Sequence, residues 1–313
     1  MYDKVTMWID RYELGCDVPQ LVPKLSNANE IASLSSGSVK VRGKLEGLAV
    51  SLYEGGVWID GSLSKFLNGS NIYTLTRNET KEAIEKLEET LGCYVGKARV
   101  QGLEFGTNFV MRHNVSEYFD RLGSCPRLKR ETICGNLYYQ GRGKSENRDK
   151  VFVFYDKQRE LKDGGIDIPN NMRATNLLRY EIRIKKRLER FFNIERVTAE
   201  TLSDKGFYSL LVGKYKSIYS SIEKVPKTNI SMAKIKTVSD AFSAFVGQML
   251  VRADREELEA FLSELKASNT FATRSEYTRL KRMFAECEKY LKNGGDELLK
   301  ELDGEVKNVS SYM

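Results

Sequence analysis

Histidine is almost absent from this sequence. His113 is the single histidine among 313 residues, so a metal site built from two histidines is excluded, and a histidine-based catalytic triad requires His113 as its base. His113 follows a predicted strand, and we interpret it as a loop residue without a chemical role. Any metal site or catalytic base in this chain therefore has to come mainly from carboxylates and other polar groups.

Cysteine pairs and long apolar runs are missing as well. The five cysteines are scattered and none belongs to a Cys-x-x-Cys pair, so we expect reduced, mostly buried thiols rather than disulfides or a structural zinc site. No apolar run approaches the roughly 20 residues that a membrane span requires. The stretch "MYDKVTMWIDRYELG" carries charges where a signal peptide has its apolar segment. We therefore expect a soluble, cytoplasmic protein with no membrane partner.

Positive charge is concentrated in the middle of the chain. The whole sequence has a net charge of +7. Residues 127–190 contain 17 lysines and arginines against 9 aspartates and glutamates, an excess of eight, and the remainder is close to neutral. A basic segment of this kind indicates a polyanionic partner, with nucleic acid as the first candidate. The alternative is a basic surface that is merely solvated.

Alternating apolar and polar residues predict antiparallel strands in the first half of the chain. "KVTMWIDRYEL" fits an opening strand, and residues 38–60 fit two or three strands with a turn at Gly55 and Gly56. Thr76 and Glu79 fit a capping box at the start of a helix that ends at Gly92. A further strand, "KARVQGLEFGTNFVM", and a short helix near "VSEYFDRLG" follow.

A similar order of elements recurs in the next part of the chain. "GNLYYQG" and "KVFVFYDK" fit a hairpin around the charged turn "RGKSENRD". "KQRELKDG" then fits a helix, and "LLRYEIRIKK" fits another strand. We therefore predict an α+β fold with a mostly antiparallel sheet and duplicated strand–helix–strand units, followed by a C-terminal helical domain.

The change of pattern along the chain predicts two domains. Residues 1–225 would form the first domain and residues 226–236 a linker. Residues 237–313 would form a helical domain, with helices near 239–251, 254–267, 274–292 and 295–303. The third of these helices is the best candidate there for a DNA contact because of its cations Arg274, Arg279, Lys281 and Arg282, although a solvated face has the same composition.

One predicted strand has a face lined with charge. Successive side chains of a strand point to opposite faces, so the apolar and charged residues of "LLRYEIRIK" separate. The charged face contains Arg179, Glu181, Arg183 and Lys185. Its cations would bind phosphate oxygens, and its single carboxylate would hold a divalent metal. A solvated face would show the same pattern.

Glu104 is a second isolated acid. It lies between Gly102 and Gly106 on its own face of a predicted strand. The glycines would let a ligand or a backbone approach the carboxylate closely; the alternative is a pair of bulges beside an exposed acid. Two lone carboxylates on separate strands suit a site for Mg²⁺ or Mn²⁺. Such an ion would act as a Lewis acid on a phosphodiester.

Tyr155 ends the apolar run "VFVFY" and is followed at once by charged residues. It shares a face with Val151, Val153 and Lys157, and the alternation alone does not decide which face is the core. A phenol with a pKa of about 10 is weakly nucleophilic, and a neighbouring ammonium or metal would favour its phenolate. Tyr155 is thus either a nucleophile or an ordinary strand aromatic.

Tyr155, Lys157 and Glu160 fit the pattern Tyr-x-Lys-x-x-Glu, with "LYYQGRGKS" before it and "LLRYEIRIK" after it. This succession, together with residues 62–92, resembles the replication initiators of rolling-circle plasmids and the phage and mobile-element replication proteins of the gene II/X type. Single motifs are loose, but their order and spacing are together fairly specific. The resemblance covers residues 40–215, and residues 230–313 resemble no family that we can name.

The resemblance implies a metal-dependent enzyme that nicks one DNA strand at a replication origin and later rejoins it. Tyr155 would become joined to the 5′ phosphate and free a 3′-OH for a polymerase, while Lys157 completes its motif. Glu181 and Glu160 match acids near the metal, and at Glu104 the family more often has Asp. The His-hydrophobe-His motif of better-known nickases is missing in this group, which agrees with the single histidine here.

The basic residues would bind the substrate and stabilise the reaction. Arg179, Arg183 and Lys157 are suitable for the negative charge that develops during nicking, and the charged turn at 142–150 would follow the DNA backbone. The predicted DNA contacts are Arg142, Lys144, Arg148, Lys150 and Lys185. Expected partners are single-stranded or supercoiled origin DNA, a host helicase and, in a homodimer, a second copy of the chain.

Two alternatives stay open on the sequence alone. A non-enzymatic DNA-binding protein for replication or copy control would use the same basic scaffold, with strongly salt-dependent binding and no cleavage. A relaxase for conjugative transfer would use the same chemistry as the initiator, so only its genetic context or its partner proteins would separate the two.

Overall fold

Antiparallel strands form one large sheet. The structure is a computed structural model that describes residues 1–32, 39–141, 149–173, 175–226, 228–253, 255–271, 273–293 and 296–309. Over these residues the strands of the sheet are β1 (Tyr2–Asp10), β2 (Ser26–Ala32), β3 (Val39–Leu45), β4 (Leu48–Tyr53), β5 (Gly56–Ser62), β6 (Arg99–Met111), β7 (Lys129–Ile133), β8 (Asn136–Gln140), β9 (Lys150–Asp156) and β10 (Asn176–Ile184). Their spatial order is β2-β3-β4-β5-β1-β6-β10-β9-β8-β7.

Helices connect and follow these strands. In the described residues they are α1 (Leu63–Asn68), α2 (Arg77–Leu91), α3 (Val115–Phe119), α4 (Lys157–Asp163), α5 (Leu188–Phe192), α6 (Ala199–Leu202), α7 (Lys205–Ser221), α8 (Val238–Arg252), α9 (Arg255–Ala267), α10 (Arg274–Glu288) and α11 (Glu297–Asn308). A separate two-stranded ladder joins β11 (Thr228–Ile230) to β12 (Leu291–Asn293). The α+β prediction with a C-terminal helical region is therefore confirmed.

Local signals placed most of the elements of the first half. Residues 38–60 supply three strands, as the alternation allowed. The capping box of α2 is present: Thr76 Oγ1 accepts from the Glu79 backbone N–H at 3.3 Å, and Glu79 Oε2 accepts from the Thr76 N–H at 2.7 Å. Gly92 ends the helix with φ +67°, a left-handed conformation that glycine adopts without strain. The opening strand ends at Asp10, earlier than the pattern "KVTMWIDRYEL" predicted.

Three elements were missed or misassigned. The loop predicted after the opening strand contains β2, which pairs with β3, and β7 precedes β8 at the other edge of the sheet. The predicted linker 226–236 contains β11, so that prediction was wrong. These short segments lack a clear apolar alternation, and their pairing partners, rather than their own sequence, fix them as strands.

The expected absences have partial outcomes. All five cysteines are free thiols. Cys93 and Cys125 are buried, Cys16 and Cys287 are half-buried and Cys134 is exposed, so the expectation of mostly buried thiols was wrong. Over the residues that the structure describes, none of the helices combines the length and the apolar character needed to cross a membrane.

The two faces of the central strands are chemically different. On one face, the ring of Phe154 in β9 stacks on Tyr180 in β10 at 4.3 Å between centroids, and Tyr180 lies 4.4 Å from Tyr215 of α7. Phe105 of β6 continues this aromatic layer toward Phe192 of α5. The face of the core is thereby settled: α5 and α7 cover the aromatic side, and the charged side chains of β10 point to the other side.

The tight pairing of β6 with β10 depends on Gly106. It lies opposite Glu181 in the register of the two strands. A Cβ atom at this position would lie 2.4 Å from the Tyr180 carbonyl oxygen and 2.9 Å from Glu181 Cα. Both neighbours are backbone atoms that cannot rotate away. Of the two reasons for the glycines that flank Glu104, a close backbone approach therefore holds for Gly106.

The chain divides into two compact units. One contains Met1–Val115, Arg127–Ser220 and Glu305–Met313, and the other contains Ser116–Pro126 and Ser221–Gly304. The first holds the ten-stranded sheet with α5 and α7. The second holds α8, α9 and α10 and the β11–β12 ladder, where Tyr290 donates to Asp240 at 2.6 Å. The predicted domains 1–225 and 237–313, as independently folding parts, stay a prediction.

Replacing Gly106 by alanine is expected to destabilise the first unit by about 1–3 kcal/mol, because the added methyl group forces β6 and β10 apart. Urea unfolding followed by circular dichroism measures this change. The control is Gly213→Ala in α7, where a Cβ meets nothing within 4 Å; that substitution should leave stability unchanged or raise it by up to about 1 kcal/mol. Equal effects at both positions would contradict the close approach.

Candidate active site

A buried arginine is the centre of the charged face. Arg179 in β10 has no exposed surface. Its Nε donates to Glu181 Oε2 at 2.6 Å, and its Nη2 donates to Asp3 Oδ2 at 2.7 Å. A buried guanidinium is costly unless carboxylates and hydrogen bonds compensate for its lost hydration. Here two carboxylates, from β10 and β1, supply that compensation.

Glu181 collects donors from three side chains. Besides Arg179, it accepts from Arg183 Nε at 2.6 Å on Oε1 and from the Tyr155 hydroxyl at 3.2 Å on Oε2. Burial opposes ionisation of this carboxyl group, but the charges of Arg179 and Arg183 and their hydrogen bonds outweigh it and lower its pKa to about 2. Glu181 is therefore ionised at any ordinary pH.

Tyr155 is held beside this cluster by the register of the sheet. It lies directly opposite Arg179 across the β9–β10 pair, and 7% of its surface is exposed. Burial raises the pKa of its phenol well above the usual 10; Arg179 acts in the opposite direction, whereas Glu181 adds to the rise. Tyr155 is thus a protonated phenol that donates to a carboxylate, as the structure stands.

Lys157 and Glu160 follow Tyr155 on α4. Asp156 caps this helix by accepting from the Arg159 backbone N–H at 3.1 Å, so the chain turns from strand to helix immediately after Tyr155. Lys157 is buried, and its Nζ donates to Glu160 Oε2 at 2.6 Å. Burial and the charge of Arg179 lower the pKa of Lys157, against the influence of Glu160.

Glu104 lies across from Arg183 in the β6–β10 pair. Arg183 Nε is 3.7 Å from Glu104 Oε2 and 2.6 Å from Glu181 Oε1, so one guanidinium lies between two carboxylates. Burial and the neighbouring charge of Glu181 raise the pKa of Glu104, which Arg183 partly opposes. Glu104 and Glu181 are therefore close enough to repel each other, with Arg183 as their shared counter-ion.

These contacts test whether the predicted metal ligands fit a cation. Within the described ranges, no three acidic, histidine or cysteine side chains come together in a form that holds a metal ion. Glu104 and Glu181 already share one cation, the guanidinium of Arg183. The pair suits a divalent ion if that guanidinium moves aside, and Glu160 is occupied by Lys157.

Asp3 is a member of the cluster that sequence reasoning missed. It accepts from Arg179 and also from Ser62 Oγ, at 2.5 Å. The pairing of β1 with β6 shifts register between Tyr2 and Lys4. This irregularity brings Asp3 to the charged face, although strict alternation puts it on the side opposite Tyr2 and Lys4 alike. No local signal predicts such a shift.

The predicted DNA contacts are only partly described. Arg142, Lys144 and Arg148 lie outside the described residues. Lys150 begins β9, and its ammonium lies 5.1 Å from the centre of the Phe191 ring, on the face of the sheet that α5 covers. Lys185 is exposed just after β10. The structure thus does not bring these two lysines to the Tyr155 cluster, and their binding to DNA stays a prediction.

The fold and this cluster define an α+β protein with a buried arginine–carboxylate–tyrosine site on one face of an antiparallel sheet. A family model for the N-terminal part of a phage replication-associated protein, named Phage_CRI, matches residues 1–203. The match covers most of the chain and all of the cluster, so the chain belongs to this family. A comparison with curated proteins finds no match. The chain is accordingly a replication protein of the rolling-circle type, and DNA is its partner.

The depressed pKa of Glu181 predicts an acid-dependent loss of stability. Because its pKa falls from the usual 4.5 to about 2 on folding, its ionised form stabilises the fold fully above about pH 5, and this contribution is lost as the pH falls toward 2. Glu181→Gln should lower the free energy of unfolding at pH 7 by about 3 kcal/mol. The difference from the unaltered chain should shrink as the pH falls through that range.

Urea unfolding from neutral to acidic pH measures this difference. Glu82→Gln removes an exposed carboxylate of α2 as a control and should change stability by no more than about 0.5 kcal/mol. A Glu181→Gln penalty that stays constant down to the most acidic pH would contradict the assignment of Glu181 as the ionised centre of the cluster.

Proposed function

We propose that this chain nicks and rejoins one strand of origin DNA through a covalent phosphotyrosine intermediate. The observation that carries the proposal is the position of Tyr155, whose hydroxyl bonds to Glu181 beside Arg179. The Tyr155 oxygen attacks the phosphorus, its bond to the 5′ phosphate forms, and the bond from phosphorus to the 3′ oxygen breaks. The reverse attack by a 3′-OH restores the strand and releases the tyrosine.

The phenol needs activation before it attacks. Burial keeps Tyr155 protonated, and Glu181 is a weak base while two arginines hold its charge. Arg179, directly opposite Tyr155, favours the phenolate once the proton leaves toward Glu181. A phosphodiester that draws Arg183 away from Glu181 would make that carboxylate more basic. Substrate binding and activation of the nucleophile are thereby coupled.

Lys157 is suited to the leaving group. It is a buried ammonium whose pKa is lowered by burial and by Arg179, so it releases a proton more readily than an exposed lysine. We assign it the donation of a proton to the departing 3′ oxygen. Arg179 and Arg183 would stabilise the negative charge on the phosphoryl oxygens.

A divalent ion is part of the proposal. Glu104 and Glu181 would hold Mg²⁺ or Mn²⁺, with Glu160 as a further ligand, since carboxylate oxygens are the ligands that these ions prefer. Bound there, the ion would supply Lewis-acid chemistry at the phosphodiester. Arg183 now balances the charges of Glu104 and Glu181, and it would be free to contact phosphate when the ion replaces it.

The wider partners follow from the same role. Single-stranded or supercoiled origin DNA would be the substrate, a host helicase would continue the opening of the duplex, and a homodimer is one arrangement for the two steps. The exposed cations of α10, Arg274, Arg279, Lys281 and Arg282, would contact DNA or a partner protein. Nicking, rather than non-enzymatic binding or conjugative transfer, is the function that the Tyr155 cluster supports best.

Tyr155→Phe is expected to abolish the covalent adduct while DNA binding stays within about twofold, because only the attacking oxygen and one neutral hydrogen bond are removed. Single-stranded oligonucleotides and Mn²⁺ are incubated with each variant, and the adduct is separated by denaturing electrophoresis. The control is Tyr138→Phe, a half-buried tyrosine of β8, which should keep adduct formation. An adduct with the Tyr155→Phe variant would show that another residue is the nucleophile.

Glu104→Gln tests the proposed ion site separately. Loss of one carboxylate should raise the Mn²⁺ concentration for half-maximal adduct formation by about 10- to 100-fold. The exposed control Glu82→Gln should leave the Mn²⁺ dependence unchanged. If Glu104→Gln lowers the adduct yield equally at every Mn²⁺ concentration, Glu104 positions Arg183 and does not bind the ion.

A further inference from the structure

A second group of cations surrounds a cavity away from the Tyr155 cluster. The cavity has a volume of about 410 Å³. Its charged lining consists of Arg127, Asp149, Lys150, Lys186, Arg187 and Arg190. Three separate chain segments thus contribute five cations and one carboxylate, although the whole chain has 50 basic and 43 acidic residues.

The cavity and the Tyr155 cluster lie on opposite faces of the sheet. Lys150 pairs with Ile184, whereas Tyr155 pairs with Arg179, and alternation puts these two pairs on different faces. The five-residue separation along β9 corresponds to about 17 Å. A phosphate group in the cavity is therefore out of reach of the Tyr155 hydroxyl.

The cations of the cavity are poorly neutralised by carboxylates. Over the described part of the chain, none of Arg127, Lys186 and Arg190 forms an ion pair. Lys150 is crowded by like charge: burial, then Arg190 and Lys214, lower its pKa, and Asp149 opposes them only in part. An anion in the cavity would relieve this repulsion, which is the electrostatic character of a phosphate-binding site.

We propose that this cavity binds backbone phosphates of origin DNA at nucleotides that do not react with Tyr155. The proposal rests on the proposed function. A polymer with a phosphate at every nucleotide neutralises several of these cations at once and releases condensed counterions, which a single small anion does not. The DNA would then contact both faces of the sheet around the end of β9 where Lys150 lies.

The test is the salt dependence of DNA binding. The cavity variant carries Lys186→Gln, Arg187→Gln and Arg190→Gln, and the control variant carries Lys44→Gln, Lys65→Gln and Lys97→Gln. All six positions are exposed and both variants lose three charges. Binding of a labelled random-sequence oligonucleotide, single-stranded and duplex, is measured by fluorescence anisotropy from about 50 to 200 mM NaCl. A chelator is present, so that no cleavage occurs.

The cavity variant should bind about 10- to 100-fold more weakly at physiological salt, with a plot of log affinity against log salt that is shallower by about 2 to 3. The control variant should lose less than about threefold and keep its slope. Equal losses in both variants would overturn the proposal, because net charge alone would explain them. An unchanged slope in the cavity variant would overturn it as well.

Inorganic phosphate provides a second arm. If phosphate alone protects the unaltered chain against urea but not the cavity variant, while both bind DNA equally, the cavity is a small-anion site and the proposal is wrong. The binding measurement does not depend on Tyr155. Absence of a covalent adduct would therefore defeat the proposed function and leave the result for the cavity to be judged by itself.

Discussion

The charged site depends on the burial of one guanidinium inside a ten-stranded sheet. Arg179 has no access to solvent, and removing such an ion from water costs several kcal/mol unless partners replace its hydration. Glu181 and Asp3 are those partners. Because the three groups come from two strands that flank β6, their ion pairs also tie the middle of the sheet together. Loss of any member would leave an uncompensated buried charge.

This constraint explains why a phenol can be positioned so firmly. Glu181 is fixed by two arginines, and the Tyr155 hydroxyl donates to one of its oxygens. On the opposite face the stacked rings of Phe154 and Tyr180 immobilise the same two strands. A site preorganised in this way loses little free energy to reorganisation when charge develops on a substrate. The sheet thus supplies rigidity, and the basic residues supply affinity for DNA.

The sequence predicts those features that are encoded locally. The capping box of α2 and the charged face of β10 follow from residue spacing alone, and the Tyr155 motif agrees with the family. Other features depend on distant pairing. β9 is buried on both faces, so alternation did not identify its core side. The register shift that recruits Asp3 and the approach of β10 to Gly106 arise only between strands, as does the separation of Lys150 from Tyr155.

The most direct test of the central claim is to locate the nucleotide bond. The unaltered chain is incubated with a library of single-stranded DNA and Mn²⁺, digested, and examined by mass spectrometry for peptides that carry a 5′-linked nucleotide. The account predicts one modified peptide, with the nucleotide on Tyr155 and none on Tyr138 or Tyr139. A nucleotide on another residue, or DNA that is cleaved without any adduct, would contradict it.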